Sequence, residues 1–223
     1  MFYKICLTLT LLTLLAGPAD AQQLTFKVGA DVTGTYHASG ITQARLGPGA
    51  IGDAEIDLSV ATSSGFMIGA EFVGGNFWQV GLGVEQLFPR PIDGHDGSFS
   101  FTTFYATTRL QLSGLVTPSL AARLGWTLSH SDETFKEPAY SAIPIELVHE
   151  DVRVLLRGGF NYGVNLGLAR GPVRVEVAYL TYLGTRLVRR NGLLRDDTKR
   201  LVDLDIRYTT FNILLGYTIR LSQ

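Results

Sequence analysis

Phe160-Asn161-Tyr162-Gly163-Val164-Asn165-Leu166-Gly167-Leu168, then Ala169-Arg170-Gly171-Pro172, then Val173-Arg174-Val175-Glu176-Val177-Ala178-Tyr179, is the stretch that decides the fold. On either side of the centre every second residue is large and apolar, and the residues between are Gly, Asn, Arg, Glu or Ala. Strand side chains point alternately to opposite faces, so a period of two sets one apolar face against one small or polar face. Ala169-Arg170-Gly171-Pro172 is turn chemistry, so the stretch reads as two strands joined by a tight link.

The same alternation recurs in six further segments. Leu24, Phe26, Val28, Ala30 and Val32 alternate with Thr25, Lys27, Gly29, Asp31 and Thr33. Phe66, Ile68, Ala70 and Phe72 alternate with Met67, Gly69 and Glu71, and Trp78, Val80, Leu82 and Val84 with Gln79, Gly81, Gly83 and Glu85. Phe104, Ala106, Leu110 and Leu112 fall opposite Tyr105, Thr107, Arg109 and Gln111, with Thr108 interrupting the apolar face. Leu120 to Leu128 alternates about Arg123 and Gly125, and Phe211 to Leu221 about Asn212, Gly216 and Arg220. Each segment runs about 8–12 residues, close to the roughly 9–11 that a tilted strand needs to cross a hydrocarbon layer.

The links alternate in length. Short ones lie at 73–76, 113–118 and 169–172; long ones at 37–65, 89–97, 130–156 and 184–202. Short turns at one end and long loops at the other, on an even number of strands, are expected of an outer-membrane barrel. A soluble eight-stranded barrel of the lipocalin type also alternates, but its outside must be solvated. Here the apolar face is almost free of charge, while the other is mostly Gly, Thr, Ala and Asn with isolated charges, as a crowded lumen requires. The expected fold is all-β, an eight-stranded antiparallel up-and-down transmembrane β-barrel.

Composition agrees. The 223 residues are 46% hydrophobic and 17% charged, with 25 glycines and a net charge of -1. That is too apolar for a disordered chain and lacks the basic excess of a nucleic-acid binder. Cys6 is the only cysteine, so an internal disulfide framework and a cysteine-based zinc site are excluded. Lys4, the apolar run Ile5 to Ala16, Gly17-Pro18 and then Ala19-Asp20-Ala21 read as a secretory signal peptide. Residues 1–21 are expected to be removed, leaving 22–223 as one barrel domain.

With these residues in view the chain resembles the small outer-membrane β-barrel family that includes OmpA-type and OmpX-type barrels and, more closely, the PorT-like barrels of Bacteroidetes. The likeness is carried by Phe26-Lys27-Val28-Gly29-Ala30, by Gly65 to Phe72, by Phe160 to Tyr179, and by Leu215-Gly216-Tyr217. It implies a location in the outer membrane of a Gram-negative bacterium, contact with lipid and lipopolysaccharide, and insertion by the barrel assembly machinery. One feature departs from the family. The chain ends Ile219-Arg220-Leu221-Ser222-Gln223, without the terminal aromatic residue that such machinery reads.

An eight-stranded lumen is filled by its own side chains. The inward set contains Lys27, Arg109, Arg123, Arg174 and Arg220 against Asp31, Glu71, Glu85 and Glu176. Unpaired buried charge is costly, so these are expected to pair, either as a structural plug or as the lining of a narrow path for ions or small solutes. Outside, the loop at 130–156 is acidic, while the one at 184–202 carries Arg186, Arg189, Arg190, Arg195, Lys199 and Arg200. The basic loop either closes on the acidic one or meets anionic lipopolysaccharide phosphates, which guanidinium forks suit. Loops of this length also offer a surface to a protein or ligand.

Catalytic and metal-binding signals are weak. His37-Ala38-Ser39, at the end of the first segment, superficially resembles the His-x-Ser pair of a lipid A deacylase, but in that family the pair lies on a late strand with an acidic partner, and no such arrangement follows here. Asp93, His95 and Asp96 form a polar loop, and His130 and His149 lack ligand spacing. The expectation is a non-enzymatic, monomeric outer-membrane barrel without cofactor, metal or nucleic-acid partner, acting structurally or through its loops; the alternative is a narrow channel.

Overall fold

A computed structural model describes residues 22–47, 50–91, 98–131, 152–156, 158–190 and 204–221. The proposed signal segment, and Arg195, Lys199 and Arg200, lie outside them, as do Asp93, His95, Asp96 and His149. Ten strands are described: β1 (Gln23–Gly47), β2 (Ala50–Thr62), β3 (Gly65–Gly74), β4 (Trp78–Pro91), β5 (Ser98–Gln111), β6 (Thr117–Ser131), β7 (Val152–Leu156), β8 (Phe160–Arg170), β9 (Val173–Arg190) and β10 (Leu204–Arg220).

They form eight staves, because two staves are interrupted. β3 pairs with β1 from Gln23↔Val73 to Asp31↔Gly65, and β2 takes over from Gly34↔Thr62 to Gly47↔Ala50, so one stave breaks at Ser63-Ser64. β8 and β7 line β9 in the same way, with the break just before Phe160. β10 pairs antiparallel with both β9 and β1 and closes the barrel. The eight-stranded antiparallel up-and-down barrel expected from the alternation is the observed fold.

The closed wall is staggered. One row of paired residues runs Tyr36, Tyr208, Tyr182, Asn161, Gly125, Tyr105, Gly83, Glu71 and back to Thr25 on β1. A full circuit therefore returns eleven positions further down β1, one of them a bulge. Such a stagger tilts the strands by roughly 35–45° against the barrel axis.

The outside is an apolar belt. Phe26, Phe66, Phe104, Leu124, Leu166, Val175 and Leu215 are each 49–52% exposed or, for Leu166 and Val175, 62% and 48% exposed, while their strand neighbours turn inward. A soluble protein rarely leaves a continuous apolar surface of this kind bare. Tight turns close the end that holds both termini, helped by Gly75 and Gly171 at φ 110° and 59°, where a side chain is strained. We call this the turn end and the opposite one the loop end.

Three expectations need correction. The span 37–65 is not one open loop: β1 and β2 continue as a paired hairpin above the stave break. The links at 89–97 and 184–202 are shorter, because β4 runs to Pro91, β9 to Arg190, and β10 starts at Leu204. Arg186, Arg189 and Arg190 therefore stand in a strand, not a loop. On β10, Ile206, Tyr208, Thr210, Asn212 and Leu214 face the lumen in unbroken phase, and the bulge at this level lies on β1 between Asp31 and Thr33. The lumen itself turns apolar at Ile206 and Tyr208.

Candidate functional site

Eight of the nine charges read as inward are buried: Lys27, Asp31, Glu71, Glu85, Arg109, Arg123, Arg174 and Glu176 are each 5% exposed or less. Glycine makes the room. Lys27 lies in register with Gly69 and Gly216, and Tyr105 with Gly83 and Gly125, so each long side chain is flanked by residues that add no bulk. A Cβ on Gly83 would run into the Tyr105 ring.

The core of the network is a square of two acids and two bases. Lys27 Nζ donates to Glu71 Oε2 at 2.9 Å and to Glu176 Oε2 at 3.0 Å. Arg109 Nη2 donates to Glu71 Oε1 and, at 3.1 Å, to Glu176 Oε1. The Tyr105 hydroxyl adds a bond of 3.1 Å to Glu71, and Asn165 one of 3.1 Å to Glu176. Arg174 reaches Glu176 at 3.5 Å and Gln111 Oε1 at 2.7 Å. These residues come from β1, β3, β5, β8 and β9, so the square ties the wall together across the lumen. Beside it Arg123 pairs with Glu85 at 2.6 Å and lies 4.2 Å from the Tyr105 ring centre.

Nearer the loop end Asp31 takes an ion pair from Arg90, which falls within the link expected at 89–97. Arg90 enters because β4 bulges between Leu87 and Arg90, which turns the inward phase from Glu85 and Leu87 to Arg90. The Tyr208 hydroxyl donates to Asp31 at 2.7 Å and accepts from Arg90 at 2.8 Å, and the Gly65 amide also donates to Asp31. Arg220 does not join: it is exposed at the turn end. Its place among the buried cations is taken by Arg90. The Pro89-Arg90-Pro91 run hid this residue, since proline inside a strand ordinarily marks an edge or a loop.

Above the ions the lumen is aromatic and aliphatic, which the sequence reading missed. Tyr36, Met67, Leu87, Phe99, Phe101, Leu180, Tyr182, Ile206 and Tyr208 form one buried cluster. Phe101 and Tyr182 stack with centres 5.2 Å apart, and Phe99 meets Tyr208 edge-on at 5.3 Å. The signal was present in Tyr36, Phe99, Phe101, Tyr182 and Tyr208, but each sits beyond the end assigned to its strand.

On the outer wall, His37 Nδ1 lies 3.6 Å from Asp57 Oδ1 on β2, so folding supplies a carboxylate that the sequence did not offer. Ser39 follows two residues along. No hydrogen bond joins Ser39 to His37 among the described residues, and acyl transfer starts from that contact. The same residues include no group of three side chains able to hold a metal.

No protein-family model matches the chain, and no curated protein matches it either. Solved structures do. The outer membrane protein AlkL, determined in lipid bilayers, shares 10% identity and a TM-score of 0.50, over 93% of this chain and 94% of that one. OprG from Pseudomonas aeruginosa gives 10% identity and 0.49, over 91% and 99%. Neisserial surface protein A gives 14% and 0.43, over 86% and 96%. At these identities the likeness bears on the fold alone.

Proposed function

We propose that this chain is a plugged, non-enzymatic barrel of a Gram-negative outer membrane that works through its external surface and not through its lumen. In this reading residues 1–21 direct export and are removed, and the mature monomer starts near Gln22. Kinship with the PorT-like barrels belongs to the same proposal. The apolar belt supports a membrane setting, since only a closed barrel or a helix satisfies its backbone inside lipid.

One observation carries the plug. Glu71 and Glu176 are each held by both Lys27 and Arg109, so four side chains from four staves meet in the middle of the lumen. An ion entering would have to break charge pairs that are 1–3% exposed, and leave buried charge behind. The aromatic cluster seals the same path from the loop end.

The working surface is then at the loop end. The basic stretch contains Arg186, Arg189 and Arg190 on β9, with Arg195, Lys199 and Arg200 beyond it. Register sets Arg153 of β7 directly across from Arg189. These six cations suit an anionic partner, such as lipopolysaccharide phosphates. Planar-bilayer recording tests the plug: the protein should insert without discrete conductance steps. Steady single-channel steps would replace this reading with the narrow channel.

A further inference from the structure

We propose that the turn-end mouth of the lumen binds one small monovalent anion of the chloride type, with Arg174 as its main ligand. This mouth is at the opposite end from the external surface, so the ion takes no part in what the loops bind.

Among the described residues five cations and four carboxylates are buried in the lumen. Arg90 has Asp31, Arg123 has Glu85, and Lys27 and Arg109 share Glu71 and Glu176. Arg174 is the fifth cation and has no carboxylate of its own. Glu176 is already taken: it accepts from Lys27 at 3.0 Å, from Arg109 at 3.1 Å and from Asn165 at 3.1 Å, which uses most of the roughly four acceptor sites of a carboxylate. Arg174 Nη1 accordingly stops 3.5 Å from Glu176 and 3.4 Å from the Ser119 hydroxyl. Its one short bond, 2.7 Å from Nη2, goes to the neutral side-chain carbonyl of Gln111. Nε, in a side chain that is 3% exposed, meets no acceptor among the described residues. Burying a cation without a counter-charge is strongly unfavourable, so the network is short of one negative charge.

Position decides where that charge comes from. Arg174 is the second residue of β9, Gln111 the last of β5 and Ser119 the third of β6, so all three stand at the turn end. Arg174 precedes Glu176 by two residues and Gln111 follows Arg109 by two, which sets them between the ion square and the turns. Gln111 and Ser119 are only half-buried, and an anion from the water beyond them reaches Arg174 without crossing the square. The deficit is a single charge, and Glu176 behind Arg174 repels a dianion. The donors on offer are the Nε proton of Arg174 and the Ser119 hydroxyl, whose oxygen already accepts from Nη1 and whose proton is left for the ion. A spherical halide takes hydrogen bonds from any side and fits such an uneven pair.

Urea unfolding of the full chain in vesicles of neutral lipid, with chloride replacing gluconate at constant ionic strength, tests the site. Chloride should raise the midpoint, and the gain should saturate; at ten times the dissociation constant the folding equilibrium shifts about eleven-fold. The chlorine NMR line in maltoside micelles should broaden and level off at the same half-saturation. Arg174→Gln should abolish both effects, while Arg220→Gln, at an exposed arginine of the same end, should abolish neither. Migration of unboiled against boiled protein on a detergent gel checks that each variant folds. A wild-type midpoint that ignores chloride, or climbs without saturating as a general salt effect does, would overturn the site without recourse to any variant. Saturable broadening retained by folded Arg174→Gln would overturn it as well.

Discussion

The two halves of the lumen solve one packing problem by different means. At the turn end, long charged side chains cross an interior cleared by glycine and finish on one another, as Lys27 and Arg109 do on Glu71 and Glu176. At the loop end, rings and aliphatic groups fill the space by contact area, from Tyr36 to Tyr208. Asp31, Arg90 and Tyr208 form the seam, since Tyr208 belongs to both. The difference predicts how each half fails. Removing a partner from an ion network leaves opposite charge buried, whereas trimming a ring leaves a cavity whose cost follows its size.

The largest effect should come from the ionic half. Glu71→Gln leaves Lys27 and Arg109 sharing one carboxylate, and should lower unfolding stability by about 3–5 kcal/mol, read from urea midpoints in lipid vesicles. A loss no larger than that of a surface change would mean that water, not protein, compensates the charges. Phe99→Ala tests the apolar half and should cost about 3 kcal/mol in the same assay, with no dependence on salt. Adding salt should change the Glu71→Gln penalty only slightly as well, because buried pairs are poorly screened. Tyr208→Phe keeps the ring and removes the hydroxyl that bridges Asp31 and Arg90, and should cost about 1–2 kcal/mol. The smallest effect is expected for Arg220→Gln, within about 0.5 kcal/mol, since this arginine is exposed at the turn end. A penalty as large as that of Tyr208→Phe would restore it to the network.

The turn-end half was legible in the sequence. Its strands keep a strict period of two, so the period alone puts Lys27, Glu71, Arg109, Arg123, Arg174 and Glu176 on one face. The loop-end half was not, for a local reason. One extra residue at a bulge reverses which side chains face inward, and both the β1 bulge after Asp31 and the β4 bulge before Arg90 lie at that level. Beyond them Tyr36 and Arg90 face inward although they fall out of phase with the segments that precede them. Inward-facing aromatics also blurred the contrast between an apolar and a polar face on which the reading depended.

Alternation along the chain by itself determined that this protein is a closed barrel of eight strands, apolar outside and charged within, because side-chain direction in a strand is a property of neighbouring residues alone. Which charges meet was decided only by the tertiary structure. Glu71 and Glu176 are far apart in sequence, and the stagger of the closed wall sets which rows share a level across the lumen. The same holds on the outside, where the break before Phe160 and the register of β1 on β10 bring Gly158, Gly159, Arg207 and Asp205 to one cavity.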